Sequence, residues 1–319
     1  MNTPKVSVVV PVYNVERYIE KCAHSLFSQT LDDMEYIFVD DKSPDNSIAL
    51  MKSVLEKYPH RSHQVRVITM EQNSRQAAVR DRGVWAATGE YIIHCDPDDW
   101  VDPDFYRRLY DTAKTGDYDI VCSNYIMEWE GRTCRPDEEF DLKNPHEAIF
   151  TDRYSFFSLC MFLVKSGLIK DNNIHFYQNV NLMEDWGFLL RVLFFAKSVS
   201  YVPDVYYHYR KDNPGSITAP GRMEAQIDQQ LDCIARLDSF FLKHGIGRNK
   251  VLVLMRMKRD LKNRYLHRDS IRKWRRLFPE TAYYEFRHSE GGTAYRWAFL
   301  LSHIFGSNVM KLFLKLKGL

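Results

Sequence analysis

Three aspartates, Asp96, Asp98 and Asp99, directly follow a short apolar run from Tyr91 to Cys95. Carboxylates this close together repel one another unless a cation, a helix cap or a hydrogen-bond donor holds each one. The pair Asp96-x-Asp98 suits a hard divalent metal that keeps several waters and takes substrate phosphates as its other ligands. The alternative is an acidic turn in which Asp99 or Asp102 caps the next helix, and the motif alone favours this turn. The residues upstream of Tyr91 shift the preference from the acidic turn towards the metal site.

Four predicted strands with three helical segments between them place the acidic stretch in the predicted fold. Runs rich in valine, isoleucine and aromatic residues predict strands at Val6 to Val10, Tyr36 to Val39, Val65 to Met70 and Tyr91 to Cys95. With helical spacing between them, these runs predict an α/β fold, a Rossmann-like and mostly parallel sheet flanked by helices. Because such sheets bind ligands beyond the carboxyl ends of their strands, one rim should collect the residues that follow each strand.

The residues expected on that rim are suited to holding a nucleotide. Tyr13 offers an aromatic face for stacking, and Asp41 is a natural partner for a base or ribose edge. At least one of Arg75, Arg80 and Arg82 is expected to pair with Asp41 or with phosphate, and Arg80 is the candidate. The alternatives are a core aromatic for Tyr13, a loop cap for Asp41 and solvated positions on the helix surface for the arginines.

These residues belong to four ordered motifs that resemble the family 2 glycosyltransferases of GT-A fold. The motifs are Val-Ser-Val-Val-Val-Pro-Val-Tyr-Asn, then Phe-Val-Asp-Asp-x-Ser-x-Asp-x-Ser, then Ala-x-Arg-Asp-Arg-Gly, then Ala-Thr-Gly-Glu-Tyr-Ile followed by Asp-Pro-Asp-Asp. The resemblance is close over residues 5–125 and looser as far as about residue 217. Two positions depart from the family pattern: Lys42 stands where glycine is frequent, and Asp81 stands where asparagine is usual.

The resemblance implies a role for each rim residue. Pro11, Tyr13 and Asp41 would hold the nucleoside, which is usually uridine. Asp96 and Asp98 would be the Asp-x-Asp motif that carries Mn²⁺ or Mg²⁺ on the diphosphate. Neither departure from the family pattern touches this metal motif, so we expect a nucleotide-sugar donor site at the rim.

A second acidic pair, Glu184 and Asp185, precedes an apolar run that ends at Phe195. The spacing of that run predicts a helix beginning at the pair, where the helix dipole and free N–H groups stabilise a carboxylate. A simple helix cap explains the pair equally well. Inverting members of the family carry Glu-Asp at this place, so the resemblance implies that Asp185 takes the proton of the acceptor hydroxyl, with Glu184 as the second choice.

The segments around this pair are predicted from apolar runs and from the same resemblance. Residues 118–124 are predicted to form a strand, and the apolar run 156–169 is predicted to be helical. The segment from Tyr206 to Arg210 resembles the family's loop that closes over the diphosphate. The resemblance implies that His208 or Arg210 neutralises the leaving group. An aromatic strand edge with solvated tips is the alternative.

The last third of the chain is predicted to be helical and basic. The chain has a formal net charge of +2, but the region from about residue 222 is strongly basic. The run from Tyr295 to Leu316 is amphipathic, with lysines among its apolar residues. This pattern is consistent with helices lying on an anionic membrane surface. A solvated helical bundle is the alternative, and nothing resembles a motif that reads nucleic acid.

The composition agrees with a globular protein of a reducing compartment. Hydrophobic residues make up 45% of the 319 residues and charged residues 27%, which is ordinary for a soluble protein. The six cysteines form no Cys-x-x-Cys pair, so we expect buried free thiols and no zinc site. We expect no secretory signal peptide, and the sequence has no apolar run of the roughly 20 residues that span a bilayer. We expect a cytoplasmic protein that is peripheral at the inner face of the cell membrane where its basic region binds lipid.

These patterns predict a glycosyltransferase domain at residues 1–220 and a helical extension at 221–319. Residues 1–125 would form its nucleotide-sugar half and residues 126–220 its acceptor and base half. The predicted activity is metal-dependent, inverting transfer of a sugar from a nucleotide sugar, a UDP-sugar in this interpretation, to a saccharide or lipid-linked saccharide in cell-surface polysaccharide synthesis. The alternative is a catalytically silent nucleotide-sugar-binding or scaffold protein.

Two other enzyme classes that use acidic motifs are disfavoured by what the sequence lacks. A phosphatase would need Asp-x-Asp-Gly-Thr, and a nucleotidyltransferase would need a glycine-rich phosphate loop after the first strand; neither motif is present. The Gln-x-x-Arg-Trp signature of processive relatives is also absent. We therefore expect a single transfer per acceptor.

Overall fold

A computed structural model of the chain describes residues 3–135, 142–151, 158–216, 227–266, 270–288 and 292–317. The chain forms two compact units. The first unit comprises Met1–Ala148 and Tyr154–Gln229, and the second comprises Ile149–Arg153 and Gln230–Leu319. The predicted domain boundary at residue 220 lies outside the described residues.

The described part of the chain contains one sheet and thirteen α-helices. The strands are β1 (Val6–Val12), β2 (Met34–Asp40), β3 (Val65–Thr69), β4 (Tyr91–His94), β5 (Trp100–Val101), β6 (Ile120–Trp129), β7 (Arg132–Cys134), β8 (Phe162–Lys165) and β9 (Val199–Arg210). The helices as far as residue 195 are α1 (Ile19–Phe27), α2 (Ser47–Leu55), α3 (Arg75–Ala86), α4 (Phe105–Gly116), α5 (Glu147–Phe150), α6 (Ser166–Asp171) and α7 (Glu184–Phe195).

The strand order is β3-β2-β1-β4-β8-β6-β9-β5, with β7 paired to β6. β1 runs parallel to β2 and β4, and β2 runs parallel to β3, so the predicted Rossmann-like half is confirmed. β8 is antiparallel between β4 and β6, and β9 is parallel to β6. The predicted α/β sheet with flanking helices is therefore confirmed, and its second half adds antiparallel strands. Because β6 crosses residue 125, the predicted division of this domain falls inside a strand.

The central strand β1 sets how deeply its neighbouring helix packs. Val8, Val9 and Val10 are completely buried, as expected for a continuous β-branched run in the middle of a parallel sheet. Helix α3 approaches this strand at Gly83, where a Cβ atom would lie only 2.3 Å from Cγ1 of Val9. A side chain at this position would push the helix off the sheet. Gly83 therefore allows α3 to carry Arg80, one turn earlier, deep into the unit.

The prediction of a helix at 156–169 is wrong. Residues 158–171 contain a short 3₁₀ turn at Leu159–Met161, then β8, then α6, while residues 156–157 lie outside the described part. The apolar residues Phe162, Leu163 and Val164 are buried because β8 fills the middle of the sheet. A short apolar run has no periodicity that separates a buried strand from a buried helix, and this explains the error.

The second unit is helical, as predicted. The remaining α-helices among the described residues are α8 (Ile227–Lys243), whose first residues belong to the first unit, α9 (Leu252–Asn263), α10 (Ile271–Arg276), α11 (Thr281–His288), α12 (Thr293–Phe305) and α13 (Asn308–Leu316). A buried cluster joins the last of them and includes Trp274, Phe299, Met310 and Leu314. Among the residues that the structure describes, none of the helices combines the length and apolar character that crossing a membrane requires.

Candidate active site

A cleft of about 810 Å³ in the first unit opens beyond the carboxyl ends of β1, β2 and β4. It is lined by eight of the ten residues predicted for the site: Pro11, Tyr13, Asp41, Arg80, Asp96, Asp98, Glu184 and Asp185. The other two, His208 and Arg210, are not part of the lining. The structure therefore brings the residues after three parallel strands together with the acidic pair that begins α7.

The residues expected to hold a nucleoside lie at the ends of β1 and β2. Tyr13 is 47% exposed, so the alternative of a core aromatic is wrong. The carboxylate of Asp41 accepts the backbone N–H of Ser74 at 2.6 Å and that of Arg75 at 2.9 Å, so it also caps the start of α3. Burial raises the pKa of Asp41, while these two backbone hydrogen bonds oppose the shift. Asp41 thus has a structural role as a cap and a position in the cleft wall.

The three aspartates of the acidic stretch have different surroundings. Asp96 accepts a hydrogen bond from Nη2 of Arg80 at 2.7 Å, and Asp98 accepts one from Nδ2 of Asn213 at 2.7 Å. Asp99 is buried and accepts the hydroxyl of Tyr207 at 2.5 Å, so it faces the protein interior. Burial raises the pKa of Asp98, and the neighbouring Asp96 raises it further. Two carboxylates, Asp96 and Asp98, therefore remain for the cleft.

This pair of carboxylates fits a hard divalent cation that binds together with a substrate. Each uses one side-chain oxygen for the hydrogen bond just described, at Oδ1 of Asp96 and Oδ2 of Asp98. Within the described residues, no group of three or more His, Cys, Asp or Glu side chains is arranged to hold an ion. The donor set therefore fits Mg²⁺ or Mn²⁺ that draws most of its ligands from water and phosphate, and does not fit an all-protein cage.

Arg80 connects the acidic stretch to the acidic pair on α7. Its side chain is 3% exposed, and it lies 2.7 Å from Oδ1 of Asp96 through Nη2 and 3.6 Å from Oε1 of Glu184 through Nε. Burial disfavours the charge on Arg80, but the two carboxylates outweigh burial and raise its pKa. Its Nε and Nη1 atoms are buried and make no hydrogen bond. The guanidinium is therefore held by charge while part of its hydrogen-bonding capacity is unused.

Glu184 and Asp185 form the first turn of α7, as predicted. Glu184 is buried, while Asp185 is only partly buried and accepts the backbone N–H of Trp186 at 2.8 Å. Burial raises the pKa of Glu184 to about 8, with repulsion from Asp185 adding to the shift. Burial also raises the pKa of Asp185 to about 6, against the effect of its backbone hydrogen bond and of Arg80. The two carboxyl groups therefore titrate as an interacting pair above the usual pKa range of carboxyl groups, with the higher pKa at Glu184.

His208 lies away from the cleft lining, on β9 beside β5. Its Nδ1 contacts Oε1 of Glu128 at 2.7 Å, its Nε2 contacts Oδ1 of Asp102 at 3.0 Å, and its ring stacks on Trp100. Burial disfavours the charged imidazole, but the two carboxylates outweigh burial and raise the pKa of His208. Asp102 does not cap the next helix, because α4 begins at Phe105. Both nitrogens of the imidazole are therefore engaged by carboxylates of the protein.

Arg210 supports the acidic stretch instead of lining the cleft. Its backbone N–H donates to Oδ1 of Asp99 at 2.7 Å, and its Nε donates to the carbonyl of Asp98 at 3.0 Å. Its Nη1 also contacts Asp212 at 3.2 Å. Through these contacts, the end of β9 fixes the conformation of the loop that presents Asp98.

Two residues of the site were missed in the sequence. Asn213 hydrogen-bonds Asp98 in the cleft wall, and Tyr207 donates its hydroxyl to Asp99 while accepting the backbone N–H of Asp96 at 3.0 Å. Both contacts form because β9 lies next to the acidic stretch. No local sequence pattern predicts this long-range pairing. The available signal was the segment from Tyr206 to Arg210 already singled out, since Tyr207 lies inside it and Asn213 follows three residues after it.

Comparison with known proteins identifies a family and a fold. The family model described as Glycosyl transferase family 2 matches residues 7–167. EpsH of Bacillus subtilis is 38% identical over 220 residues, a stretch covering 66% of this chain and 62% of that protein. The chain thus spans about three fifths of the length of this relative.

Solved structures share the fold at low sequence identity. TarS of S. aureus, residues 1–349, in complex with UDP superimposes with a TM-score of 0.59 at 17% identity, covering 99% of this chain and 92% of that chain. The mannosyltransferase PcManGT of Pyrobaculum calidifontis, in complex with GDP-Man and Mn²⁺, gives a TM-score of 0.57 at 14% identity, with coverage of 98% and 88%. At such identities the likeness establishes the GT-A fold and nothing finer.

Proposed function

The chain belongs to glycosyltransferase family 2, and we propose that it is a metal-dependent, inverting glycosyltransferase with a UDP-sugar as donor. The acceptor would be a saccharide or lipid-linked saccharide used in cell-surface polysaccharide synthesis. The observation that carries this proposal is the meeting of two acidic pairs in one cleft, Asp96 with Asp98 and Glu184 with Asp185, joined by the buried Arg80. The catalytic domain would comprise residues 1–220, and residues 221–319 would be a separate helical region.

The donor nucleoside would bind along the rim of the sheet. Tyr13 is exposed in the cleft and offers a face for the base, while Asp41 and Pro11 form the adjoining wall. Since each carboxylate oxygen has more than one lone pair, Asp41 can accept a further hydrogen bond while it caps α3. The similarity in fold to TarS in complex with UDP supports a uridine nucleotide.

The diphosphate would bind beside Asp96 and Asp98. These two carboxylates would hold Mn²⁺ or Mg²⁺, which when bound neutralises the charge that develops on the departing diphosphate. Asn213 orients Asp98, and Arg80 orients Asp96 from the buried side. The fold shared with PcManGT in complex with GDP-Man and Mn²⁺ supports a divalent metal.

Asp185 would act as the general base. It reaches the cleft, is ionised near neutral pH, and would take the proton of the acceptor hydroxyl as that oxygen attacks the sugar carbon in a single displacement. A single displacement inverts the configuration at that carbon and needs no protein nucleophile. Glu184 is the less suitable base, because it is buried and its pKa of about 8 keeps it protonated at pH 7.

His208 and Arg210 would contribute as positioning residues. His208 stacks on Trp100, and Arg210 holds both Asp98 and Asp99 from behind the cleft. This assignment replaces the expected direct contact of either residue with the leaving group. The chain would work on the cytoplasmic side of the cell membrane, in peripheral contact with it.

A turnover assay with a panel of nucleotide sugars tests the proposal. We expect release of UDP from a UDP-sugar in the presence of Mn²⁺ and a saccharide acceptor, with one sugar added per acceptor. Asp185→Asn should lose this turnover while still binding UDP. Binding of UDP without turnover across the acceptors tested would favour the silent binding protein instead. The absence of both binding and turnover for all nucleotides would reject the donor site.

A further inference from the structure

Exposed apolar side chains concentrate at the last two helices of the chain. Eight large apolar or aromatic side chains are exposed in the described residues, and five of them belong to α12 and α13: Trp297, Ile304, Phe305, Leu312 and Leu316. Phe305 is 73% exposed and Leu316 is 77% exposed. Single apolar residues on a surface are normal, but such a concentration marks an interaction site. We call these five residues the outer strip.

The outer strip is distinct from the face that these helices use for folding. On α13, Met310 and Leu314 are buried in the core of the second unit, whereas Leu312 and Leu316 are exposed. Since residues four apart lie on the same side of a helix, α13 has one apolar face inside and a second one in solvent. On α12, Phe299 is likewise buried while Ile304 and Phe305 are exposed. Packing in the core of the second unit explains the buried faces of α12 and α13 but not their exposed apolar faces.

Within the segment that carries the outer strip, the charged side chains have one sign. From Gly291 to Leu319 the sequence has no aspartate or glutamate, but has Arg296, Lys311, Lys315 and Lys317. Lys315 and Lys317 are exposed beside Leu312 and Leu316 on α13. Lysines can bury their methylene groups along an apolar surface while the ammonium groups reach toward an anionic layer.

We propose that the outer strip is a docking surface for an anionic lipid bilayer, on which α12 and α13 lie in the interface without crossing it. Exposed apolar side chains with interspersed lysines have the chemistry of interfacial helices, which gain from both apolar insertion and anionic headgroups. The length of these helices, 13 and 9 residues, is too short to span a bilayer. The inference stands on the second unit alone and does not depend on the transferase proposal.

Vesicle co-sedimentation of the full-length protein tests the docking surface. Wild type should bind vesicles of phosphatidylcholine with phosphatidylglycerol, and bind phosphatidylcholine vesicles much more weakly. The variant Phe305→Ser/Leu312→Ser/Leu316→Ser should lose at least about tenfold in partitioning. The matched control Leu242→Ser/Tyr283→Ser removes exposed apolar side chains of the second unit outside the strip and should bind as wild type does.

A second set of variants separates charge from apolar contact. Lys311→Gln/Lys315→Gln/Lys317→Gln should weaken binding to the anionic vesicles by about a hundredfold, since each lysine near such a surface contributes about a fivefold factor. Lys52→Gln/Lys57→Gln/Lys243→Gln changes the net charge equally at exposed positions elsewhere and should have little effect. Circular dichroism and Tm should be unchanged in all four variants, because none of the substituted side chains is part of the core.

Three results would overturn the proposal. The first is binding of wild type to neutral and anionic vesicles alike, or to neither. The second is retention of vesicle binding by the Phe305, Leu312 and Leu316 variant with its fold intact. The third is a wild-type dimer that this variant abolishes without any vesicle binding, which would identify the outer strip as a contact between copies of the chain.

Discussion

The cleft of the first unit and the core of the second unit both bury positive charge, but they compensate it differently. In the second unit, Lys258 is 0% exposed, and its ammonium contacts Asp238 at 2.6 and 2.8 Å and Glu280 at 3.1 Å. In the cleft, Arg80 contacts Asp96 and Glu184 but leaves Nε and Nη1 without a hydrogen bond. The charge of Lys258 is therefore compensated by two carboxylates in direct contact, whereas the guanidinium of Arg80 keeps buried N–H groups without a hydrogen bond.

The carboxylates around the two cations differ in the same way. Glu184 and Asp185 have raised pKa values because the fold buries them beside each other, which costs stability. Such groups are common at functional sites, where stability is given up for chemistry. The comparison therefore predicts that substitutions in the cleft affect activity, while substitutions around Lys258 affect stability.

The largest effect should come from substitution of Asp185, the proposed general base. Asp185→Asn keeps the shape of the side chain but cannot accept a proton, so kcat should fall by about 10²- to 10⁴-fold. A coupled assay of UDP release measures this, and the Tm should not decrease. Activity of wild type should also fall as the pH drops below about 6, because protonation of Asp185 removes the base.

Glu184→Gln is the matched control for the base. It should retain far more activity than Asp185→Asn, because the side chain of Glu184 is buried and its raised pKa makes it the less suitable base. If the two variants lost activity equally, or if Glu184→Gln lost more, the assignment of Asp185 as the base would be wrong.

The next effect concerns stability in the second unit. Asp238→Ala removes the closest partner of the completely buried Lys258 and should cost about 3–5 kcal/mol in the free energy of unfolding, because a buried charge loses its compensation. Chemical denaturation measures this cost. Replacing both members, with Lys258→Met and Asp238→Leu, should restore most of the stability. If Asp238→Ala left the free energy of unfolding unchanged, the proposed difference between the surroundings of Lys258 and the cleft would be wrong.

A smaller effect of opposite sign is expected in the cleft. Glu184→Gln removes a buried carboxyl group that is unfavourable beside Asp185, while Arg80 keeps its shorter contact with Asp96. We expect a gain of about 0.5–2 kcal/mol in the free energy of unfolding, measured by denaturation at pH 8, where Glu184 is partly ionised. A loss of stability would mean that the buried charges of the cleft are compensated as completely as the charge of Lys258 in the second unit.

A pH dependence of stability is also expected in the second unit. Burial lowers the pKa of Lys262 to about 7, although Glu280 and Glu285 oppose the shift. Between pH 7 and about 10.4 the unfolded chain keeps this proton and the folded chain releases it, so the contribution of Lys262 to stability rises with pH. The slope should not exceed about 1.4 kcal/mol per pH unit. The stability of wild type relative to Lys262→Met should therefore increase over this range, and a flat difference would contradict the lowered pKa.

The sequence predicted the parts of the site that depend on local pattern. Tyr13, Asp41 and Asp96 follow β-branched strands whose buried runs identify a parallel sheet, so their meeting at one rim follows from topology alone. Glu184 and Asp185 precede an apolar helical run, and α7 begins at Glu184. In each case a few neighbouring residues predict both the strand or helix and the position at which it begins or ends.

Long-range strand pairing could not be predicted from local patterns in the sequence. The pairing of β9 with β5 joins His208 to Trp100 and brings Arg210 behind Asp99, although about a hundred residues separate them in the chain. Nothing near His208 in the sequence indicates that Glu128 and Asp102 occupy both of its nitrogens. The same limitation explains β8, whose position between β4 and β6 decides that its apolar run is a strand.

Calorimetric titration of UDP, with and without Mn²⁺, tests the central claim that Asp96 and Asp98 hold a metal-bound diphosphate in the cleft. Wild type and Asp185→Asn should bind UDP tightly only when Mn²⁺ is present. Asp98→Asn should lose this metal-dependent binding while its Tm without ligand stays close to that of wild type. UDP binding that is equal with and without Mn²⁺, or that survives Asp98→Asn unchanged, would contradict the account.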